Sequence, residues 1–276
     1  MRLPPQNNNL KKKSFFFSFS SSFFGSMTVE VYDSCARGDL QTFIAAVKSD
    51  YEVQSFELAI AAYNGHIAFF EWIENTFLVD WVSFTNIHPL TYQLLTDWKL
   101  YTLDDALCGR QTELVKYCLL LKCPWTPRSL YCAVLSNSIE LVRFCIHEGA
   151  PCNALAVETA ARQGNFKMVK LLHDTFKTNI TSDILVGAIL SGSVPVLSYL
   201  LKSRCTLYAF MCALAAQYGK LPILKCLKEH GCDWDESVVF CAANYNQKHV
   251  LKWLLANNAP VNQHDQLLVN MLCEQL

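Results

Sequence analysis

The chain has 276 residues, 52% of them hydrophobic and 17% charged, and a formal net charge of −1. That is ample apolar material for a core and too little charge for a disordered chain. The near-neutral balance also lacks the excess of Lys and Arg that nucleic acid or an anionic membrane surface requires. With 10 Gly and 9 Pro the chain is short of turn residues, and a compact, helical, soluble protein is expected. Thirteen cysteines, an odd number with no Cys-x-x-Cys, fit neither a disulfide framework nor a zinc site built on paired thiolates. Free Cys packs as a small hydrophobe, and so many reduced thiols point to the cytoplasm, with the nucleus as the other reducing compartment.

Residues 1–26 stand apart. A Pro/Asn opening leads to Lys11-Lys12-Lys13 and then to a Phe/Ser run. This is expected to be a disordered, low-complexity leader, or upstream sequence joined to a start at Met27. The basic stretch followed by phenylalanines also has the outline of a signal peptide, although serines interrupt it and no Ala-x-Ala follows. The alternative it opens is a secreted or membrane-tethered binding protein.

From residue 27 onward the chain is organised by a repeat. The segment Ala61-Ala62-Tyr63-Asn64-Gly65-His66 recurs in outline at Ala160-Ala161-Arg162-Gln163-Gly164-Asn165, at Ala215-Ala216-Gln217-Tyr218-Gly219-Lys220 and at Ala242-Ala243-Asn244-Tyr245-Asn246-Gln247. The marker positions are Gly38, Gly65, Arg110, Asn137, Gly164, Gly192, Gly219 and Asn246, at intervals of 27, 45, 27, 27, 28, 27 and 27. Thirteen residues after most markers stands a small loop residue: Cys123, Ala150, Cys205, Cys232 and Ala259, with Lys177 as the exception. Each unit predicts a short helix ending at the marker, where Gly or Asn tolerates a left-handed backbone. A second helix follows, with apolar residues at i, i+3 and i+4, as in Met168-Val169-Leu171-Leu172. Such a unit cannot bury its apolar face alone and must stack on its neighbours.

Cys118 and Cys145 fall in the column that holds Leu172, Leu200, Leu227 and Leu254; Cys132 and Cys241 share that of Leu214. Both are read as packing columns. Residues 83–103, inside the long interval, read as a degenerate half-repeat, or as an inserted functional loop. The charge-free stretch Ile184–Leu201 reaches the length of a membrane span, but Gly192 and Pro195 divide it into two short helices in register. A C-terminal helical cap is expected over 263–276.

The motifs of nucleotide binding, of the nucleophile elbow and of zinc proteases are missing. Asp104-Asp105 suit a helix start, and Cys226, His230 and Cys232 lack a fourth partner for a metal. No catalytic group, metal site or cofactor is expected.

The repeat resembles the ankyrin family. Ala-Ala-x-x-Gly-His at 61–66 is similar to that family's first-helix ending, and Gly149-Ala150 and Gly231-Cys232-Asp233 to its Gly-Ala-Asp loop. The likeness spans about residues 30–262. The unit is nearer 27 residues than the family's 33, and no Thr-Pro-Leu-His opens any unit, as in the short repeats of protists and large DNA viruses. The resemblance implies an all-α, ankyrin-like helical-repeat solenoid and a non-enzymatic protein–protein interaction scaffold or adaptor, monomeric, with no nucleic-acid or membrane partner. It also implies that the two residues before each marker line a concave binding face: Tyr63, Asn64, Arg162, Gln163, Gln217, Tyr218, Asn244 and Tyr245.

Overall fold

The computed structural model describes residues 26–79, 87–203 and 205–263. The expected leader, apart from Ser26, lies outside the described residues, as do 83–86 of the irregular stretch and all but Gln263 of the expected cap.

The backbone turns locate the repeat. Among the described residues every left-handed backbone falls at one of two positions in the unit. The first is the marker itself, at all eight of its occurrences, from Gly38 (φ 83°) to Asn246 (φ 56°). The second closes the other helix, at Asp50, Lys122, Gly149, Lys177, Gly231 and Asn258. L side chains disfavour this conformation by roughly 1–2 kcal/mol, which explains the Gly and Asn at most of these positions.

Four markers close their helices on an alanine pair, and others on an apolar residue at the same place, as Arg110 N–H does on Leu107 O and Asn137 N–H on Val134 O. Gly65 N–H donates to the Ala62 carbonyl (3.0 Å) and His66 N–H to that of Ala61 (2.9 Å). The same two bonds recur from Gly219 and Lys220 to Ala216 and Ala215, and from Asn246 and Gln247 to Ala243 and Ala242. These are Schellman closures, which satisfy carbonyls that a helix end otherwise orphans. The second turn repeats the device, with Cys123 N–H on Cys118 O and Ala150 N–H on Cys145 O, both at 2.9 Å. Lys177, the exception in the loop column, follows from a helix of 11 residues, Phe166–Phe176, which moves the left-handed residue on by one.

The chain runs α1 (Ser26–Arg37) and α2 (Leu40–Lys48), α3 (Ser55–Asn64) and α4 (Ile67–Trp72), then α5 (Pro89–Thr96). It continues with α6 (Thr102–Cys108) and α7 (Thr112–Leu120), α8 (Ser129–Leu135) and α9 (Ile139–His147), α10 (Ala154–Arg162) and α11 (Phe166–Phe176). The last pairs are α12 (Ser182–Ser191) and α13 (Val194–Leu200), α14 (Ala209–Gln217) and α15 (Leu221–Glu229), α16 (Ser237–Asn244) and α17 (Lys248–Ala256). No strand occurs among the described residues. The first helices of successive units pack side by side in a continuous row: α1 on α3, α3 on α6, and so on to α14 on α16. Each also packs on its own second helix, and α11, α13 and α15 touch in turn. The result is an all-helical stack of two rows.

Where the unit carries an alanine pair it is buried, fully at Ala61-Ala62, Ala160-Ala161 and Ala215-Ala216. Cys118, Cys145, Leu172, Leu200, Leu227 and Leu254 are all buried to the last atom, so that column is core. In the other cysteine column Cys132 is buried while Cys241 and Leu214 are half-buried. Ile184–Leu201 is two helices broken at Gly192 (φ 76°), with Pro195 in the first turn of α13, and no helix among the described residues is long and apolar enough to cross a membrane.

Across the 45-residue interval the first row does not break. α3 packs directly on α6, and Gln111 Nε2 donates to the Tyr63 carbonyl at 2.9 Å. A Cβ on Gly109 would run into that same carbonyl, so glycine is demanded there by space rather than by dihedral. The described part of 83–103 comprises α5, a 3-10 turn at Trp98–Leu100 and the start of α6. α5 is held beside the first units by Thr91, whose hydroxyl accepts from Val53 N–H (2.8 Å) and donates to Tyr51 O (2.7 Å). Trp98 stacks near Phe70 with ring centroids 5.2 Å apart.

Candidate binding face

The eight residues singled out before the markers are brought to one edge of the stack, where each first helix ends. They divide there by what their side chains do. Asn64 Nδ2 donates to Ala36 O (3.3 Å), and Gln163 Nε2 to Val134 O (3.1 Å) and more weakly to Leu135 O. These amides tie each unit to the helix end of the unit before, as Gln111 does and as Gln247 Nε2 does to Gln217 O (3.2 Å). Arg162 is paired with Glu158 at 2.7 Å. Asn244 is exposed and Gln217 half-buried. Tyr218 and Tyr245 keep about half of their surface in water (52% and 51%) and Tyr63 37%. The three tyrosines do not share one position, because Tyr63 stands two residues before its marker and the others one.

The broader exposed surface of the first row lies on the faces of its helices. Positions nine, six and two residues before each marker follow i, i+3, i+7 spacing and so share a side of the helix. They carry large apolar residues that are exposed: Val29, Tyr101, Leu155 and Phe210 at the first, Phe240 at the second, Tyr63 and Leu135 at the third. Between units these side chains meet, as Tyr32 does Phe56 with centroids 6.2 Å apart. Reading only the residues next to the markers misses this surface. The signal was present as an apolar stripe on the side of each first helix away from its small pair.

Carboxylates stand in the first turns of α3 and α6. Asp104 accepts from Thr126 Oγ1 (2.7 Å) and Ser129 Oγ (2.6 Å) of the next unit, so the acidic pair at this helix start clamps two units as well as facing the helix dipole. Its neighbour Asp105 lines a cavity of about 20 Å³ with Trp98, Tyr101 and Thr102, room for a single water. Burial, with Asp104 adding to it and Arg128 opposing it, pushes the Asp105 carboxyl up to about 7. Glu57 is fully buried at the start of α3, where Tyr51 Oη (2.8 Å) and Gln54 N–H (2.8 Å) donate to it. Desolvation raises it to about 7 against those two hydrogen bonds.

Most of the described thiols are buried packing groups, although hydrogen bonds from Cys118 and Cys212 hold the Cys123 and Cys232 thiols down. Burial pushes Cys35 and Cys145 up to about 12 and Cys152 to about 11, far from the thiolate that nucleophilic or metal chemistry requires. Cys226 lies 3.9 Å from His230 Nδ1, but Cys232 Sγ turns to the Tyr208 carbonyl at 3.4 Å. Among the described residues no group of three potential ligands converges. No family model and no curated protein matches this chain.

Proposed function

We propose that this protein is a non-catalytic interaction scaffold: an ankyrin-like solenoid that holds a partner protein along the exposed side of its first helices. It works as a monomer in the cytoplasm or nucleus, where its thiols stay reduced, and without a cofactor. The observation that carries this reading is the row of exposed aromatic and aliphatic side chains set on a frame whose own core is complete. A stacked array of units offers such an extended surface, and Tyr and Arg are the residues most often found as interface hot spots.

The test is affinity capture from the native cell with the wild-type chain and with the Tyr63→Ala, Tyr218→Ala, Tyr245→Ala triple variant, both checked for equal helicity. Leu120→Ala, at an exposed second-row position (77%), is the control. A partner held by the wild type and the control but lost by the triple variant is the expected result. Truncating hot-spot tyrosines weakens such complexes by about 2 kcal/mol, or roughly 30-fold. Equal retention by all three overturns the assignment of the face.

A further inference from the structure

The two rows differ in charge. The first-row helices contain no lysine. Their acidic residues are Glu30, Asp33, Glu57, Asp104, Asp105, Glu158 and Asp183, against Arg37 and Arg162 alone, although Glu57 and Asp105, raised to about 7 by burial, add little charge to the surface. The second-row helices contain eight lysines and Arg143 against five acids. A chain that is nearly neutral overall is therefore divided along its length into an acidic row and a basic one. On the first row Arg162 is matched by Glu158, which leaves Glu30, Asp33 and Asp183 as exposed carboxylates against the exposed Arg37. They stand among the exposed apolar residues Val29, Tyr101, Leu155, Phe210 and Phe240.

We propose that the first-row side binds a basic segment of a partner protein in which large apolar residues alternate with Lys or Arg. This rests on the scaffold reading and narrows it to one partner chemistry. Apolar anchors supply the contact energy, while charge complementarity selects the partner and speeds its encounter. Spacing adds a constraint. Packed helices lie about 8–10 Å apart, and an extended chain covers about 10 Å in three residues at roughly 3.3 Å each. A segment crossing the row thus meets one unit per triplet, an apolar residue followed by two basic ones.

The test uses the full chain and fluorescein-labelled peptides of repeated Phe-Lys-Lys, Phe-Glu-Glu, Phe-Ser-Ser and Ser-Lys-Lys triplets, followed by anisotropy. The Phe-Lys-Lys peptide is expected to bind, more weakly as salt is raised. Its affinity should fall about tenfold in Asp33→Asn/Asp183→Asn and in Phe210→Ser/Phe240→Ser. All four side chains are exposed, so these variants keep the fold, and circular dichroism checks it. The proposal is overturned if Phe-Glu-Glu or Phe-Ser-Ser binds as tightly, if Ser-Lys-Lys suffices, or if the face variants leave binding unchanged. Should these peptides fail while the tyrosine-dependent partner is still captured, the scaffold stands and the basic-segment assignment falls. Loss of both removes the binding reading itself.

Discussion

At the scale of single residues, the buried Glu57 and the half-buried Asp105 tie stability to pH. Asp105 and Glu57 are both held above the ordinary carboxylate range by burial, so the folded chain keeps their protons longer than the unfolded chain does. Well below pH 4 both states are largely protonated and burial costs little. As pH rises toward 7 the unfolded chain releases these protons first, and native stability falls across that window. Asp105→Asn removes one such group. Its melting temperature relative to wild type should rise between pH 4 and pH 8, by the equivalent of on the order of 2 kcal/mol; an offset that does not change with pH would count against the burial of Asp105. The sequence marked the acidic pair as a helix start and could go no further, because what buries Asp105 arrives from Trp98 and Tyr101 around the irregular interval. Desolvation is a property of the assembled stack and leaves no local pattern.

At the scale of elements, the turns were legible and the close approaches were not. A left-handed turn favours Gly or Asn, which stand at seven of the eight markers, and the fixed interval located the eighth, Arg110. The column of Cys118 and Cys145 was legible for the same reason, since a core position repeats with the helix that carries it, whereas the column of Cys132 is core only in part, with Cys241 and Leu214 half-buried. Gly109 carried no such signal. Its backbone is ordinary, and it is glycine because α6 ends against the carbonyl of Tyr63, which closes α3 across 45 residues of intervening chain. Gly149 is the converse, with a left-handed backbone (φ 86°) and open space where a Cβ would go. Gly109→Ala should therefore cost about 3 kcal/mol through overlap, and Gly149→Ala about 1 kcal/mol through the dihedral alone. Urea unfolding of the two variants checks the order, and equal losses would mean that α3 and α6 are not in direct contact. The amides of Asn64, Gln111, Gln163 and Gln247 were equally hidden as fasteners. A polar residue beside a turn looks like a solvated helix end until the neighbouring unit's carbonyl is placed 3 Å away.

At the scale of the whole molecule, the stack is a row of units each joined chiefly to its neighbours, and stability in such an array is close to a sum of unit and interface contributions. The long interval belongs to the outside of that row: the first helices pass from α3 to α6 as though nothing intervened, while α5 is fastened alongside by Thr91. This has a mechanical consequence. Pulled by its ends, the chain should yield one unit at a time. Each rupture frees 27 or 28 residues, or about 90 Å of chain at roughly 3.3–3.6 Å per residue. The unit that stores the long interval holds 45 residues and should lengthen by about 150 Å in a single step. An optical trap would show an almost even staircase broken by one tall riser, and two shorter risers in its place would mean that α5 gives way separately. A helical stack that keeps slack beside one unit, outside the row that carries the load, has a built-in place to stretch without losing its line.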